Sequence, residues 1–176
     1  AKGLDFDGSN DYIACGNLGS FPSKGTISFL MKASAVENYR NPFSTKYNGA
    51  NACIRFEEHA SYNVETNRFV VVMGNDAGTN TEHLYMSSKS GYNQMQANTW
   101  YHVVLVWDNS ANNVKGYLNG DLIFNEAQTY WATTLPAVAI GSGFSTSTER
   151  QWKGLIDETS IVATNLSAAW IKADYN

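Results

Sequence analysis

Long apolar runs are missing from this sequence. None approaches the ~20 residues that cross a bilayer, and the start, AKGLDF, lacks the basic-then-apolar pattern of a secretion signal. No membrane insertion is expected, and export would depend on a signal outside this chain. Cysteine is almost absent. Cys15 and Cys53 fall in separate predicted strands, and their positions leave open whether they approach closely enough to bond. Two cysteines without a partnering histidine motif make a poor zinc site. Basic charge is in deficit too, with 12 Lys and Arg against 16 Asp and Glu for a net −4. No basic stripe or basic amphipathic helix exists to hold a nucleic acid or a membrane surface. Proline is scarce, at three residues, and there are no internal repeats, low-complexity tracts or linkers.

What the chain does carry is aromatic and short polar residues: ten Tyr, eight Phe and five Trp among many Asn, Ser, Thr and Gly. That mixture favours short strands joined by polar turns. A surface rich in Asn and Tyr suits hydrogen bonding and stacking on neutral polar ligands such as sugars. The 176 residues, 43% of them hydrophobic, suffice for one core, so residues 1–176 are read as a single domain.

Eleven strand-like segments recur: GLDFDG, DYIACG, GTISFLMKA, NACIRFEEH, NRFVVVMG, EHLYMSS, WYHVVLVWD, NVKGYLNG, DLIFNE, AVAIGSG and KGLIDETSIV. Asn119-Gly120 between two alternating runs predicts a tight hairpin with positive φ values. With the turn from Asp108 to Asn113, it makes residues 100–125 a three-stranded antiparallel meander. Only LSAAWIKADYN has helical spacing, with Leu166, Ala169, Trp170 and Ala173 on one side and Asn165 or Ser167 as cap. That many strands exceed one comfortable open sheet, so the predicted fold is all-β: two antiparallel sheets face to face, or a jelly roll, closed by a short C-terminal helix.

The opening LDFDGSNDYI crowds Asp5, Asp7, Asn10 and Asp11 together, with only Lys2 nearby to offset them. Leu4 and Phe6 alternate with two of these acids, as in a strand with one buried face, and Gly8-Ser9-Asn10-Asp11 has turn composition.

Three blocks, LDFDGSNDYI, WYHVVLVWDNSANNVKGYLNGDLI and VAIGSG followed by WKGLIDETSIVATNLSAAWIKADYN, resemble the laminin-G-like, concanavalin A-like jelly-roll modules of bacterial and archaeal surface proteins and secreted glycan-processing enzymes. They cover about two thirds of the chain in collinear order; residues 34–99 match nothing in the pattern. The resemblance implies a module of a larger secreted or surface-anchored protein, monomeric, adjoining neighbouring domains of the same chain and binding a polysaccharide or other glycan. Its alternative is a structural or adhesive spacer. It implies that Trp100, Trp107, Trp152 and Trp170 are core. It also implies that the first and last strands lie near each other, which suggests a structural calcium ion held by Asp157, Asp7 and Asp5, with the Gly25 carbonyl as a further ligand. The acid-rich loop from Gly74 to Glu82 lacks the spacing of a helix-flanked calcium loop.

Retaining glucanases of this fold carry alternating carboxylates on one strand, about 5 Å apart, and no E-x-D-x-E pattern exists here. In Glu57-Glu58-His59 only Glu57 and His59 share a side, which leaves a weak acid–base candidate. His83 and His102 stand singly, and polysaccharide-lyase motifs, G-x-S-x-G and phosphate loops are absent. No enzyme activity is therefore expected. Binding asks less: exposed aromatics for sugar C–H faces and polar groups for hydroxyls. Tyr130 and Trp131 in NEAQTYWATT, and Tyr92, Tyr62 and Tyr47, each beside an Asn, are the candidate platforms. Arg55 and Glu57, on one strand face, are the candidate polar contacts.

Overall fold

In KGTISFLMKA the residues Ile27, Phe29 and Met31 recur at every second position, and all are buried on one side of a strand, while Thr26 and Ser28 face the other way. The same alternation organises the chain. Residues 3–47, 51–62, 65–76, 82–85, 95–135, 137–143 and 150–176 are described in this computed structural model, with backbone alone at 46–47, 51–53, 61–62, 65–67 and 82–85.

The strands are β1 (Leu4–Asp7), β2 (Ile13–Gly16), β3 (Lys24–Ala33), β4 (Arg40–Tyr47), β5 (Asn51–Tyr62), β6 (Glu65–Met73), β7 (Glu82–Tyr85), β8 (Tyr101–Asp108), β9 (Asn113–Leu118), β10 (Asp121–Ala127), β11 (Val138–Ile140) and β12 (Lys153–Val162), followed by helix α1 (Ala168–Tyr175). They form two six-stranded sheets, ordered β1-β12-β3-β8-β9-β10 and β2-β11-β4-β5-β6-β7. All the strand ladders within them are antiparallel. Phe29 from the first sheet meets Phe43 and Phe56 from the second, and the Phe29 and Phe56 rings lie edge to face at 4.9 Å. The predicted two-sheet sandwich is the observed one.

Each of the eleven predicted segments contains a strand, and β8, β9 and β10 form the expected meander. Asn119 and Gly120 take φ values of 52° and 76° between the paired residues Leu118 and Asp121, the turn that the Asn-Gly pair predicts. The strand absent from the sequence reading is β4. Its sequence RNPFSTKY has no clean alternation, and Pro42 removes a ladder donor; the register with β5 shifts between Arg40 and Phe43, around that proline.

The helix forms with Ser167 as its cap, accepting from Trp170 N at 3.2 Å. Its expected face is corrected. Ile171 is the buried residue, packed against Val104, Val106 and Tyr117 on the outer side of the first sheet, whereas Trp170 is 48% exposed. Thr26 Oγ1 donates to Thr164 O and accepts from Leu166 N, which fixes the approach of this short helix to the sheet. Trp107 and Trp152 are core as expected, and Trp100 is half-buried beneath Lys32. Cys15 is a free, exposed thiol on β2, an edge strand.

β1 does lie beside β12, but the register sets Asp7 opposite Lys153. Asp157 stands four residues further along β12, roughly 13 Å away. Gly25 pairs with Trp107, whereas Asp157 pairs with Leu30, five residues from Gly25 and so roughly 16 Å apart. This register sets Asp7, Asp157 and the Gly25 carbonyl too far apart to share one ion. Asp5, opposite Leu155, lies diagonally from Asp157. Among the described residues, no three His, Cys, Asp or Glu side chains gather into a group that could hold a metal. The crowded acids instead shape the turn. Asp7 Oδ1 accepts from Ser9 N at 2.7 Å and Asn10 N at 3.4 Å, and Asp11 Oδ2 accepts from Asp7 N at 3.1 Å.

Gly25 has a packing role. A Cβ there would sit 2.0 Å from Trp107 Cζ2, and the indole cannot swing aside without losing the hydrogen bond from its Nε1 to Pro22 O at 2.9 Å. Gly25→Ala should cost about 3 kcal/mol through overpacking. In a domain of this size that lowers the melting temperature by roughly 6–12 °C. A calorimetric scan showing no change would mean that the indole relocates freely.

Candidate functional site

Strand β5 turns Ile54 and Phe56 into the core, so Arg55, Glu57 and His59 project from the opposite face of the second sheet. The sequence reading placed Arg55 and Glu57 together and His59 beside Glu57, and the structure joins all three. Glu57 Oε2 lies 2.8 Å from Arg55 Nε, and Glu57 Oε1 lies 2.7 Å from His59 Nε2. Asn41 Nδ2 donates to Oε2 at 3.3 Å, and Arg150 pairs with the same oxygen. The carboxylate is 2% exposed. Burial would raise its pKa, but the hydrogen bond with His59 and the charges of Arg55 and Arg150 overcome it and hold the group at about 2. Glu57 is thus a fixed anion, poorly suited to giving up a proton near neutrality.

Neighbouring Glu58 has the opposite character. It is buried, its Oε2 accepts only a long 3.3 Å bond from Glu37 N, and its Oε1 has no hydrogen-bond partner. Burial, reinforced by the Glu37 charge, pushes its pKa up to about 8 against the smaller pull of Glu37 N–H and Arg40. Arg40 is committed elsewhere. It pairs with Glu37 and donates to the carbonyls of Gly8 and Gln151 at 2.9 Å each, tying the first turn to the segment before β12.

Over the edge of this polar row stands Tyr39, which precedes β4 in the left-handed conformation at φ 66°. Its N–H donates to Glu58 O at 2.8 Å, and its side chain is 41% exposed. The Tyr39 ring meets His59 edge-on at 5.1 Å, and the Arg150 guanidinium lies 5.2 Å from the ring centre. Tyr39 and Arg150 were not among the expected site residues. The signal for Tyr39 was present, since Asn38-Tyr39 is the same pairing of an aromatic with an Asn that marked Tyr47, Tyr62 and Tyr92. Arg150 is brought in from a distant segment and carries no local signal.

The other candidates do not join this group. Trp131 is partly buried against the core, its ring 6.4 Å from Phe21, with Nε1 donating to Asn112 Oδ1 at 3.3 Å. Its loop is tied to Asp76 through Thr133 N at 2.9 Å. Arg68 pairs with His59, and Asp76 lies beyond Met73, five residues further along β6, so this loop is on the order of 16 Å or more from His59. Tyr130 is half-buried, and its carbonyl accepts from Gln128 Nε2 at 2.8 Å. Tyr92 and the side chains of Tyr47 and Tyr62 lie outside the described residues.

On the first sheet, Ser28, His102 and Asp174 come together without forming a nucleophile–base–acid relay. Ser28 Oγ at 2.9 Å and Asp174 Oδ2 at 3.5 Å both address His102 Nε2, and Nδ1, where the orienting acid of such a relay belongs, has no partner.

The profile of the concanavalin A-like lectin/glucanases superfamily, in its laminin-G-like branch, matches residues 7–172. The chain belongs to this family. No curated protein matches it. Among solved structures, domain 4 of AbnA, an extracellular GH43 arabinanase from Geobacillus stearothermophilus crystallised with arabinotriose, superposes with a TM-score of 0.71 at 16% identity, covering 98% of this chain and 75% of that one. The heptameric SAP-like pentraxin of Limulus polyphemus gives 0.72 at 14% identity, covering 98% and 80%. A protein from Bacteroides ovatus described as carbohydrate-binding gives 0.70 at 20% identity; 96% of this chain is covered but only 45% of that one. These likenesses show a shared fold.

Proposed function

We propose that this member of the lectin/glucanase superfamily is a non-catalytic carbohydrate-binding module of a secreted or cell-surface protein, and that it takes a polysaccharide or other glycan at the Tyr39 end of β5. The observation that carries this reading is an exposed tyrosine ring held beside His59 and Arg150, both fixed in place by their contacts with Glu57. A sugar's C–H face stacks on such a ring while the partly exposed Arg150 guanidinium orients its hydroxyls. Pre-paired polar groups lose little freedom on binding. The carbohydrate ligand of the arabinanase domain and the description of the Bacteroides ovatus protein support the ligand class. The depressed pKa of Glu57 argues for binding over acid catalysis.

A glycan array followed by calorimetry on the hits tests this. Saturable binding of at least one polysaccharide is expected, and absence of binding to any neutral or acidic polysaccharide with sites at millimolar concentration would sink it.

A docking role towards neighbouring domains of the same chain has its own support. Tyr12, Ile13 and Leu18 are exposed around edge strand β2, leaving apolar surface and unpaired strand backbone there. The two roles use different surfaces.

A further inference from the structure

The connection from β3 to β4, residues 34–39, crosses from the first sheet to the second and is fastened to β5. It carries Tyr39. Half-buried Val36 packs against the core, and two amides tie the rest to a single residue: Tyr39 N donates to Glu58 O at 2.8 Å, and Glu37 N donates to Glu58 Oε2 at 3.3 Å. The second tie depends on the state of that carboxyl.

Glu58 is badly placed to hold a charge. It shares the inward face of β5 with Ile54 and Phe56, its ladder neighbours are Arg40 on β4 and the apolar Phe69 on β6, and it is 1% exposed. Its Oε1 has no hydrogen-bond partner, and the bond to Oε2 is long. The charged groups that act on it are Glu37 from the connection, a like charge, and Arg40 from β4, whose guanidinium is drawn to Glu37 and to the carbonyls of Gly8 and Gln151. From β12, Lys153 reaches towards Glu37 at 3.4 Å. An ionised Glu58 would carry its charge in a buried position beside a second carboxylate, and lifting the connection hydrogen-bonded to it lets water in.

We propose that residues 34–39 form a proton-dependent latch at the Tyr39 face: with its proton, Glu58 keeps the connection closed on β5, and on losing that proton it releases Glu37 and Tyr39 together. Tyr39 is poised for this, because it stands at φ 66°, a left-handed conformation that a residue other than glycine keeps only while its surroundings impose it. Opening takes its ring off His59 and Arg150. The consequence for glycan binding rests on the reading of that face given above, whereas the latch itself does not. With the pKa of Glu58 at about 8 in the closed state and an ordinary 4.5 once exposed, the closed state holds a proton that the open state releases. Opening therefore becomes about tenfold easier for each pH unit from 4.5 to 8 and levels off above pH 8.

Amide hydrogen exchange on the full chain, read residue by residue by NMR between about pH 5 and 9, tests the latch without any glycan. Base-catalysed exchange alone quickens about tenfold per pH unit, so the Glu37 and Tyr39 amides should quicken about a hundredfold per unit up to pH 8 and about tenfold beyond it. They should also exchange at least about tenfold faster than the central ladder amides of β3 and β8, as a local opening does. In Glu58→Gln both should keep the plain tenfold dependence and, at pH 8, exchange slower than in the wild type by roughly a hundredfold or more. The carboxyl carbon of Glu58 in the wild type should titrate near pH 8. A plain tenfold dependence in the wild type, exchange no faster than that of the β3 and β8 ladders, or a Glu58 carboxyl that titrates near 4.5 would overturn the latch. Failure to bind any glycan would instead overturn the reading of the Tyr39 face and leave the exchange result standing.

Discussion

Glu57→Ala should lower the stability of this domain by about 3–5 kcal/mol, because it strips the counter-charge from Arg55 and Arg150 and leaves the buried His59 without its carboxylate. For a chain of this length that is roughly 6–20 °C of melting temperature. The carboxyl's pKa falls from an ordinary 4.5 to about 2 in the fold, so the unfolded chain binds its proton more tightly. Its contribution, on the order of 3 kcal/mol, is complete above pH 4.5 and lost as pH falls towards 2. Glu57→Gln keeps the shape without the charge and should abolish this acid-side slope. Denaturant titrations at a series of pH values measure both variants, and a Glu57→Ala protein as stable as the wild type would show that the cations are satisfied without the carboxylate.

Glu58→Gln should do the reverse and stabilise the protein at alkaline pH. The folded-state pKa of Glu58, about 8 against an ordinary 4.5, means that the native state holds a proton the unfolded chain releases. Stability is therefore full below about pH 4.5 and declines as pH rises through 8, by on the order of 3–5 kcal/mol. Glutamine has the same shape and no charge to lose. The variant should match the wild type near pH 4.5 and melt roughly 6–20 °C higher at pH 8 and above. With Glu57 acting below pH 4.5 and Glu58 above it, wild-type stability should peak near pH 5. Parallel pH profiles for wild type and Glu58→Gln would mean that Glu58 is ionised in the fold.

The sequence made the sandwich legible because alternation and turn chemistry are local. Ile27, Phe29 and Met31 declare their shared face, and Asn119-Gly120 declares its turn. Strand β4 escaped because Pro42 and the polar Ser44, Thr45 and Lys46 hide its alternation, and its pairing with β5 and β11 is decided by distant partners. The helix existed in the pattern, but two turns are too few to fix which face turns inward, and contact with Val104, Val106 and Tyr117 chose Ile171.

The site was half legible for the same reason. Arg55, Glu57 and His59 share a face by the two-residue period of one strand. Arg150 reaches them from 93 positions further along than Glu57, a closure that no local pattern encodes. Register was not legible either: β1 and β12 are neighbours as the resemblance implied, yet the pairing offsets Asp7 from Asp157 by four residues, too far for the two to share one ion.

Calorimetry with one glycan that binds the wild type, repeated on Tyr39→Ala and Trp131→Ala, tests the central claim most directly. If the glycan lies on the Tyr39 face, Tyr39→Ala weakens binding by roughly 1–3 kcal/mol with little change in melting temperature, since the side chain is exposed and the left-handed backbone favours neither residue. Trp131→Ala, distant from that face and packed against Phe21, leaves affinity unchanged. The opposite pair of results, full affinity in Tyr39→Ala and loss in Trp131→Ala, would contradict the account and move the glycan to the Trp131 loop.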